Sequence, residues 1–409
     1  MKNAFLLATL AATALVTTAA DWPQWRGADR TDISKESSLL KSWPEGGPKL
    51  AWINKDVGLG YSGYAIANGK LFTMGLRGEN ELLIAVDVKT GKELWATPVG
   101  PIYKNGWGDG PRSSPTVDGD LVFALAGNGQ LLAAKAADGK EVWKATLRDF
   151  GGKTPGWGYC ESVLVDEGKV ICTPGGSQGT LLALDKATGK KVWQTADWTD
   201  GAHYSSPIIV THNGARQYIQ LTSQNVAGVE AKTGKVLWKS EWPGKTAVIP
   251  TPIFKDGHVY ITSGYGVGCK LVKVAAGNQV SDVYFNQNMI NHHGGVILVG
   301  DKLYGHSDKG GWTCQDFLTG EVKWTSNNLK KGAIHCADGM FYCLEEGSGT
   351  VALVEVSDKG WNEKGRFKLT PQTEQRNPKG KIWTHPVVSD GKLYLRDQEL
   401  LFCFDVKAK

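Results

Sequence analysis

The residues with the most chemical reach in this 409-residue chain are its histidines and a subset of its sixteen tryptophans. His203, the adjacent pair His292 and His293, His335 and His385 recur at comparable points of a repeat, and Tyr204 follows the first of them. Trp107, Trp157 and Trp383 stand among glycines, with Arg112, Tyr159 and Glu161 close behind the first two. Imidazole, guanidinium and carboxylate groups among indole and phenol rings suit metal ligation, proton transfer or the binding of a small ring or peptide segment. Spacing speaks against the first, because His292 and His293 on a strand would point to opposite faces and only one could enter a shared site. No His-Glu-x-x-His pair or phosphate loop supports the second. No metal ligand and no catalytic residue are therefore assigned, and the twelve residues named here form a candidate ligand-binding set. Taken singly, a loop tryptophan can pack on its neighbour and a histidine can cap a backbone group. Convergence of the set on one face is what points to a binding surface.

The elements that would bring these residues together follow from an internal repeat. The run Ala-x-Asp-x-x-Thr-Gly-x-x-x-Trp at 85–95 returns at 133–143, 183–193, 228–238 and 314–324, with Gly228 or Cys314 in place of the Ala, Lys135 and Glu230 in place of the Asp, and Asp138 in place of the Thr. Each copy reads as a strand, a tight turn in which glycine accepts positive φ, and a second strand. The recurring Asp87, Asp185, Asp316 and Asp405 are explained by turn hydrogen bonds. A second hairpin precedes each copy, so each unit carries four antiparallel strands, the signature of a propeller blade. Inner strands beginning near Tyr61, Arg112, Tyr159, Tyr204, Pro250, His293, Ala333 and Thr384 predict eight blades. Two are degenerate: around 271–284 the Thr-Gly-Lys turn is lost, and around 352–367 an insertion with Trp361 replaces it. The last unit stops at Lys409 before its tryptophan, and Lys49-Leu50-Ala51-Trp52 supplies the missing half. The predicted fold is an all-β, eight-bladed propeller closed by N- and C-terminal strands sharing the last blade, which removes an open edge. The candidate residues then meet at the channel mouth, on the long connections 96–111, 144–158 and 368–383 and at the starts of inner strands.

The remaining composition sets the context. Residues 1–20 have the charge, apolar core and small-residue end of a signal peptide, which predicts an exported, periplasmic or secreted protein without a lasting membrane span. The first cysteine is Cys160, far from the expected cleavage site, so no lipid anchor is expected. Residues 21–47, with Trp22, Trp25 and Trp43, are read as a strap on the outside of the ring, and 48–409 as the propeller. A net charge of +5 spread along the chain argues against nucleic acid as a partner, and a monomer is expected. Seven cysteines leave at least one unpaired. Cys336 and Cys343, flanking the Asp338-Gly339 turn, sit diagonally about 7 Å apart, too far for an unstrained bridge. Cys314 and Cys403 occupy a slot otherwise filled by alanine or glycine.

The eleven-residue motif resembles the PQQ-like β-propeller repeat family over nearly all of 52–405. Within that family, Asp21-Trp-Pro-Gln-Trp-Arg-Gly27, Asn291-His-His-Gly-Gly295 and Lys381-Ile-Trp-Thr-His-Pro386 are similar to the exported propellers of planctomycete-type bacteria. The resemblance implies the fold and two competing roles. One is that of the propeller lipoprotein of the outer-membrane barrel-assembly machinery, a scaffold gripping envelope proteins with loops on one face. The other is that of the quinoprotein alcohol dehydrogenases, which hold PQQ over calcium; many carry an adjacent cysteine pair that this chain lacks. The expectation is an exported binding or scaffold protein that recognises a protein or a small-molecule or carbohydrate ligand at the channel-mouth face, without catalysis and with no cofactor. A PQQ- and calcium-dependent alcohol or sugar dehydrogenase is the alternative.

Overall fold

A computed structural model describes residues 21–408; the expected signal peptide at 1–20 lies outside the described residues. Eight antiparallel sheets follow one another along the chain. Blade 1 comprises Ala65–Ala67, Lys70–Arg77, Asn80–Asp87 and Glu93–Pro101. Blades 2 to 6 repeat this order, and blade 7 runs from Gly332–Ala337 outward to Asn362–Lys368. Blade 8 takes three strands from the C-terminus, Val387–Ser389, Lys392–Asp397 and Leu400–Asp405, and its fourth from Lys49–Asn54. Trp52 pairs with Cys403 and Lys49 with Asp405, so the predicted closure and its register are present.

The repeat motif explains how neighbouring blades hold each other. In all eight blades the register between the third and fourth strands slips by one residue at the same point. Such a bulge re-aims the side chain that follows it. The tryptophan so aimed lies over the turn glycine of the next blade: a Cβ on Gly91 would fall 2.5 Å from Trp52, one on Gly139 2.4 Å from Trp95, and one on Gly189 2.7 Å from Trp143. These glycines have φ near +70°, so the turn and the close approach both require them. Indole Nε1 then donates across the gap, from Trp52 to Val88 O at 2.9 Å, Trp143 to Lys186 O at 2.9 Å and Trp324 to Ser357 O at 2.9 Å. In degenerate blade 5, Tyr284 takes this place and donates to Phe317 O at 2.9 Å. Asp87, Asp185 and Asp316 accept from the backbone N–H of the Thr that follows in the same turn, as turn residues should; Asp405 pairs with Lys392 instead, Ala408 standing where the motif has its Thr.

One apolar cluster fills each gap between blades, and the eighth such cluster lies between blades 8 and 1, where Tyr394 and Leu401 meet Tyr64 and Ile84. Arg396 reinforces that seam. Fully buried on blade 8, it donates to Gly58 O, Ser62 O and Met74 O of the blade 1 side at 2.7–3.1 Å. All seven cysteines are free, and Cys343 sits opposite Ile334 while Cys336 sits opposite Phe341, the diagonal arrangement expected of them.

The reading of 21–47 as an outer strap is corrected. Residues 22–34 enter the channel and touch the inner strands in turn. Trp22 bridges to Ile66, Val117 N donates to Pro23 O at 2.7 Å, and Ile33–Ser34 pairs in parallel with blade 7. Arg30 donates to Ser162 O and Val163 O of blade 3 and to Pro207 O of blade 4, and Arg26 to Val296 O of blade 6 at 2.7 Å. The physical reason is that first strands of a ring present main-chain carbonyls to a narrow axis, and a guanidinium supplies several donors in one fork. Only the later part reaches the outside, where Trp43 packs on Phe367.

Candidate functional site

At one mouth of the plugged channel lies a cavity of about 240 Å³. Seven of the eight blade-to-blade connections contribute to its lining, together with Trp25 of the plug and Tyr265 of a blade 5 hairpin. Eight of the twelve sequence candidates meet here: Trp107, Arg112, Trp157, Tyr204, His292, His293, Trp383 and His385.

Local chemistry fixes each wall. Trp107 rides on a turn in which Asn105 N donates to Asp109 Oδ1 at 2.7 Å and Trp107 N donates to Asn105 Oδ1 at 3.0 Å. Tyr61 Oη donates to Trp107 O at 2.7 Å, and Gly108, at φ +124°, leaves room for that phenol. Trp107 remains 44 % exposed, and the Lys379 ammonium sits 5.9 Å from its ring centre. Arg112 is held by Gly110 O and Gly108 O, both at 2.6 Å, and by the faces of Tyr61 and Tyr103 at 5.3 and 5.2 Å. Trp157 N donates to Tyr204 Oη, and the two rings meet edge to face. Trp383 packs against Tyr61 with ring centres 4.9 Å apart and donates from Nε1 to Glu346 at 3.0 Å.

The histidines form the polar side. His292 and His293 both line the cavity, contrary to the strand expectation, because 291–295 is a loop ahead of Val296–Val299 and the backbone alternation does not apply. Their rings stand perpendicular, 5.4 Å apart. His292 Nε2 meets Tyr265 Oη at 3.2 Å. His293 has neither nitrogen hydrogen-bonded, although Glu346 lies 3.3 Å from its Nε2 in poor alignment. Burial lowers His292 to about 4 and His293 well below the usual imidazole range, with the Lys331 charge acting in the same sense, so both are neutral near pH 7. His385 Nε2 meets His293 O at 2.8 Å, and its ring packs against Trp25, whose Nε1 donates to Thr251 Oγ1.

Four candidates lie elsewhere. Tyr159 is buried and donates to Pro174 O. Glu161 is buried behind the wall, where Thr173 N and Gln220 Nε2 donate to it, and burial pushes its carboxyl up to about 7. His203 accepts from Val248 N at 3.3 Å and packs beside Tyr204 without lining the cavity. His335 is fully buried beneath the site, between Asp32 of the plug and Val388 N. Because Val388 N–H donates to Nε2, Nδ1 carries the proton that points to Asp32. Burial would raise Asp32, yet His335, His385 and Arg26 around it hold its carboxyl well below the usual range.

Trp25, Tyr61, Tyr265 and Cys160 also line the cavity and were not among the candidates; small side chains such as Ser162, Ser206, Ala247 and Thr384 fill the rest of the lining. For Trp25 a signal existed in the dense Trp-Pro-Gln-Trp-Arg-Gly run; for Tyr265, on a hairpin between Ser263 and Gly268, there was none. Burial pushes the Cys160 thiol up to about 12, so it offers no thiolate. A Gly-x-Ser-x-Gly run at 175–179 is a hairpin tip between Lys169–Cys172 and Leu182–Asp185, not a strand-to-helix elbow. Ser177 is exposed there, with no hydrogen bond to a histidine among the described residues. No group of three or more His, Cys, Asp or Glu side chains placed to hold a metal ion is found among the described residues.

Several known proteins are similar to this chain. Tetrathionate hydrolase of Acidithiobacillus ferrooxidans is 24 % identical over 273 residues, which is 63 % of this chain and 51 % of that protein. The chain spans about half or less of the length of the curated relatives it matches. Among solved structures, BamB from Moraxella catarrhalis superposes with a TM-score of 0.61 at 16 % identity, covering 88 % of this chain and 99 % of that one. Quinohemoprotein alcohol dehydrogenase from Comamonas testosteroni gives 0.66 at 12 % identity, over 95 % and 81 %. At these identities the structures attest the propeller fold and not a shared activity. Residues 79–326, from the middle of blade 1 to the end of blade 6, match the family described as outer membrane protein assembly factor BamB, and the chain belongs to that PQQ-like propeller family.

Proposed function

We propose that this propeller is a binding protein of the cell envelope, gripping its ligand or protein partner through the channel-mouth face and performing no chemistry of its own. The observation that carries the reading is the cavity itself: a lining drawn from seven blade junctions and made largely of aromatic rings, with the neutral imidazoles of His292 and His293, one guanidinium and no carboxylate. Large flat side chains held rigidly by their own hydrogen bonds make contact area at low entropic cost, as binding surfaces require. Membership of the BamB family supports a protein-binding scaffold role, and the leader-like 1–20 region supports export.

The dehydrogenase alternative fits poorly. PQQ is a tricarboxylate and its calcium takes six to eight oxygen ligands. The cavity lining offers one formal cation, Arg112, and no Asp or Glu for a calcium ion. The residues present do not fit that cofactor pair, so no step is assigned through it.

The test is capture from envelope extract with wild type and a Trp107→Ala/Trp157→Ala double variant. The reading expects a defined set of proteins or small molecules retained by wild type and lost by the variant at unchanged Tm. Equal capture by both refutes the channel-mouth face as the binding surface. Stoichiometric retention of added PQQ and calcium, with alcohol-dependent dye reduction, refutes the absence of chemistry.

A further inference from the structure

The cavity has an unusual charge balance. Arg112 lines it half-buried, and no ion pair neutralises it among those of the described residues; its partners are two main-chain carbonyls and two phenol faces. Glu81, a carboxyl that feels its charge, has its oxygens taken up by main-chain N–H groups. Glu81 accepts from Tyr103 N and Gly127 N, and burial pushes it up to about 7. A guanidinium uses at most two of its five donors in these carbonyl bonds, so others remain for a ligand. A cation in a largely apolar, water-poor wall attracts an anion more strongly than one in bulk water.

A second, independent feature is His293. Its side chain is 9 % exposed, it faces the cavity, and neither ring nitrogen has a hydrogen-bond partner. Buried polar atoms are nearly always satisfied, so a lone imidazole here marks a place where a bound molecule presents a polar edge. Most of the rest of the wall is ring surface, with the smaller side chains of Ser162, Ser206, Ala247, Ile249 and Thr384 between the rings. A cavity of about 150 Å³ holds one benzene ring; at about 240 Å³ this one accommodates two fused rings with a small substituent.

We infer that the pocket selects a small aromatic carboxylate, with the anionic group on Arg112 and the ring system against the Tyr61 and Trp383 wall. This rests on the channel-mouth cavity being a ligand site and adds the class of ligand. One cation in the lining calls for one negative charge, and neutral imidazoles add polarity without a second charge.

Isothermal titration with 2-naphthoate and its neutral near-isostere 2-naphthamide tests this on wild-type protein. The carboxylate binds about tenfold to a hundredfold more tightly, the ratio expected for a hydrogen bond to a charged group. Arg112→Gln removes the preference, while Arg112→Lys keeps part of it, having the charge without the fork. Equal affinity for acid and amide overturns the inference while leaving the cavity as a ligand site. No binding of either at millimolar concentration also overturns it, and the envelope capture experiment then judges the site separately. An Arg112→Gln protein that folds with wild-type Tm and still prefers the acid overturns the role of Arg112. Should Arg112→Gln unfold by releasing Gly108 and Gly110, the wild-type comparison of acid and amide decides alone.

Discussion

Replacing Arg30 by methionine tests whether the N-terminal segment is a structural plug or a passive passenger in the channel. Arg30 is buried, and burial lowers its guanidinium to about 9, yet it donates to Ser162 O at 3.1 Å, Pro207 O at 2.7 Å, Val163 O and Gln24 Oε1 at 2.9 Å. In Arg30→Met, Val163 O keeps a donor, Thr116 Oγ1 at 2.7 Å. Ser162 O and Pro207 O lose this one. Two buried acceptors left unsatisfied cost about 1–3 kcal/mol each. Relief from burying a cation and the apolar fill of methionine offset part of that, leaving a net loss of about 2–4 kcal/mol. Urea unfolding read by tryptophan fluorescence should show a lower midpoint at unchanged slope. Hydrogen exchange of 22–34 should accelerate if the plug loosens locally. A loss below about 1 kcal/mol, within the range of ordinary surface substitutions or little beyond it, with the protection of 22–34 intact, would refute the reasoning.

Two further outcomes follow from the same contacts. A chain beginning at residue 35 lacks the plug but keeps Lys49–Asn54, so it should remain a soluble ring of lower Tm. A chain beginning at residue 55 also loses Trp52 and bares the Leu400–Asp405 edge, and should aggregate in size-exclusion chromatography; equal behaviour of the two contradicts the closure. His292 and His306 are lowered by burial to about 4, against 6.5 in the unfolded chain, so the unfolded state takes up protons first as the pH falls. Their contribution to stability is therefore full above pH 6.5 and declines toward pH 4, each ring losing at most about 1.4 kcal/mol for every pH step of one. Imidazole nitrogen spectra should show both rings neutral at pH 5.5, and protonated rings there would contradict their burial.

The ring was legible because its determinants are local and repeated. The Thr-Gly turn, the bulge and the tryptophan fall within eleven residues, and the missing tryptophan of the last copy pointed to Lys49–Asn54. The mouth was partly legible, since long connections between blades must surround the axis wherever the ring closes. The plug was not. Arg26, Arg30 and Asp32 look like surface residues by type; only the ring, once closed, gives them carbonyls and imidazoles to meet. Their left-handed backbone, with φ of 62°, 54° and 65°, is a cost that those contacts over-determine. Tyr159 and Glu161 do not line the cavity for a related reason. They belong to the right connection, but Tyr159 turns toward Pro174 and Glu161 toward Gln220, into the gap behind the wall.

The plug and the cavity are one construction. Eight inner strands around an axis leave a polar hole that apolar side chains cannot fill and that water would fill without order. A short segment with two arginines and an aspartate satisfies the carbonyls and imidazoles of blades 3, 4, 6 and 7, and in doing so stops the hole below one mouth. What remains open is floored by Trp25, which is anchored to Thr251 of blade 5 and packed on His385 of the blade 8 connection. Any ligand that touches Trp25 binds the plugged ring better than an unplugged one, so by linkage it stabilises the plug to the same extent that the plug strengthens its binding. The N-terminal segment thus gives a generic repeat ring both its stability at the axis and a particular pocket, and a change in residues 22–34 alone could alter ligand preference without touching any blade.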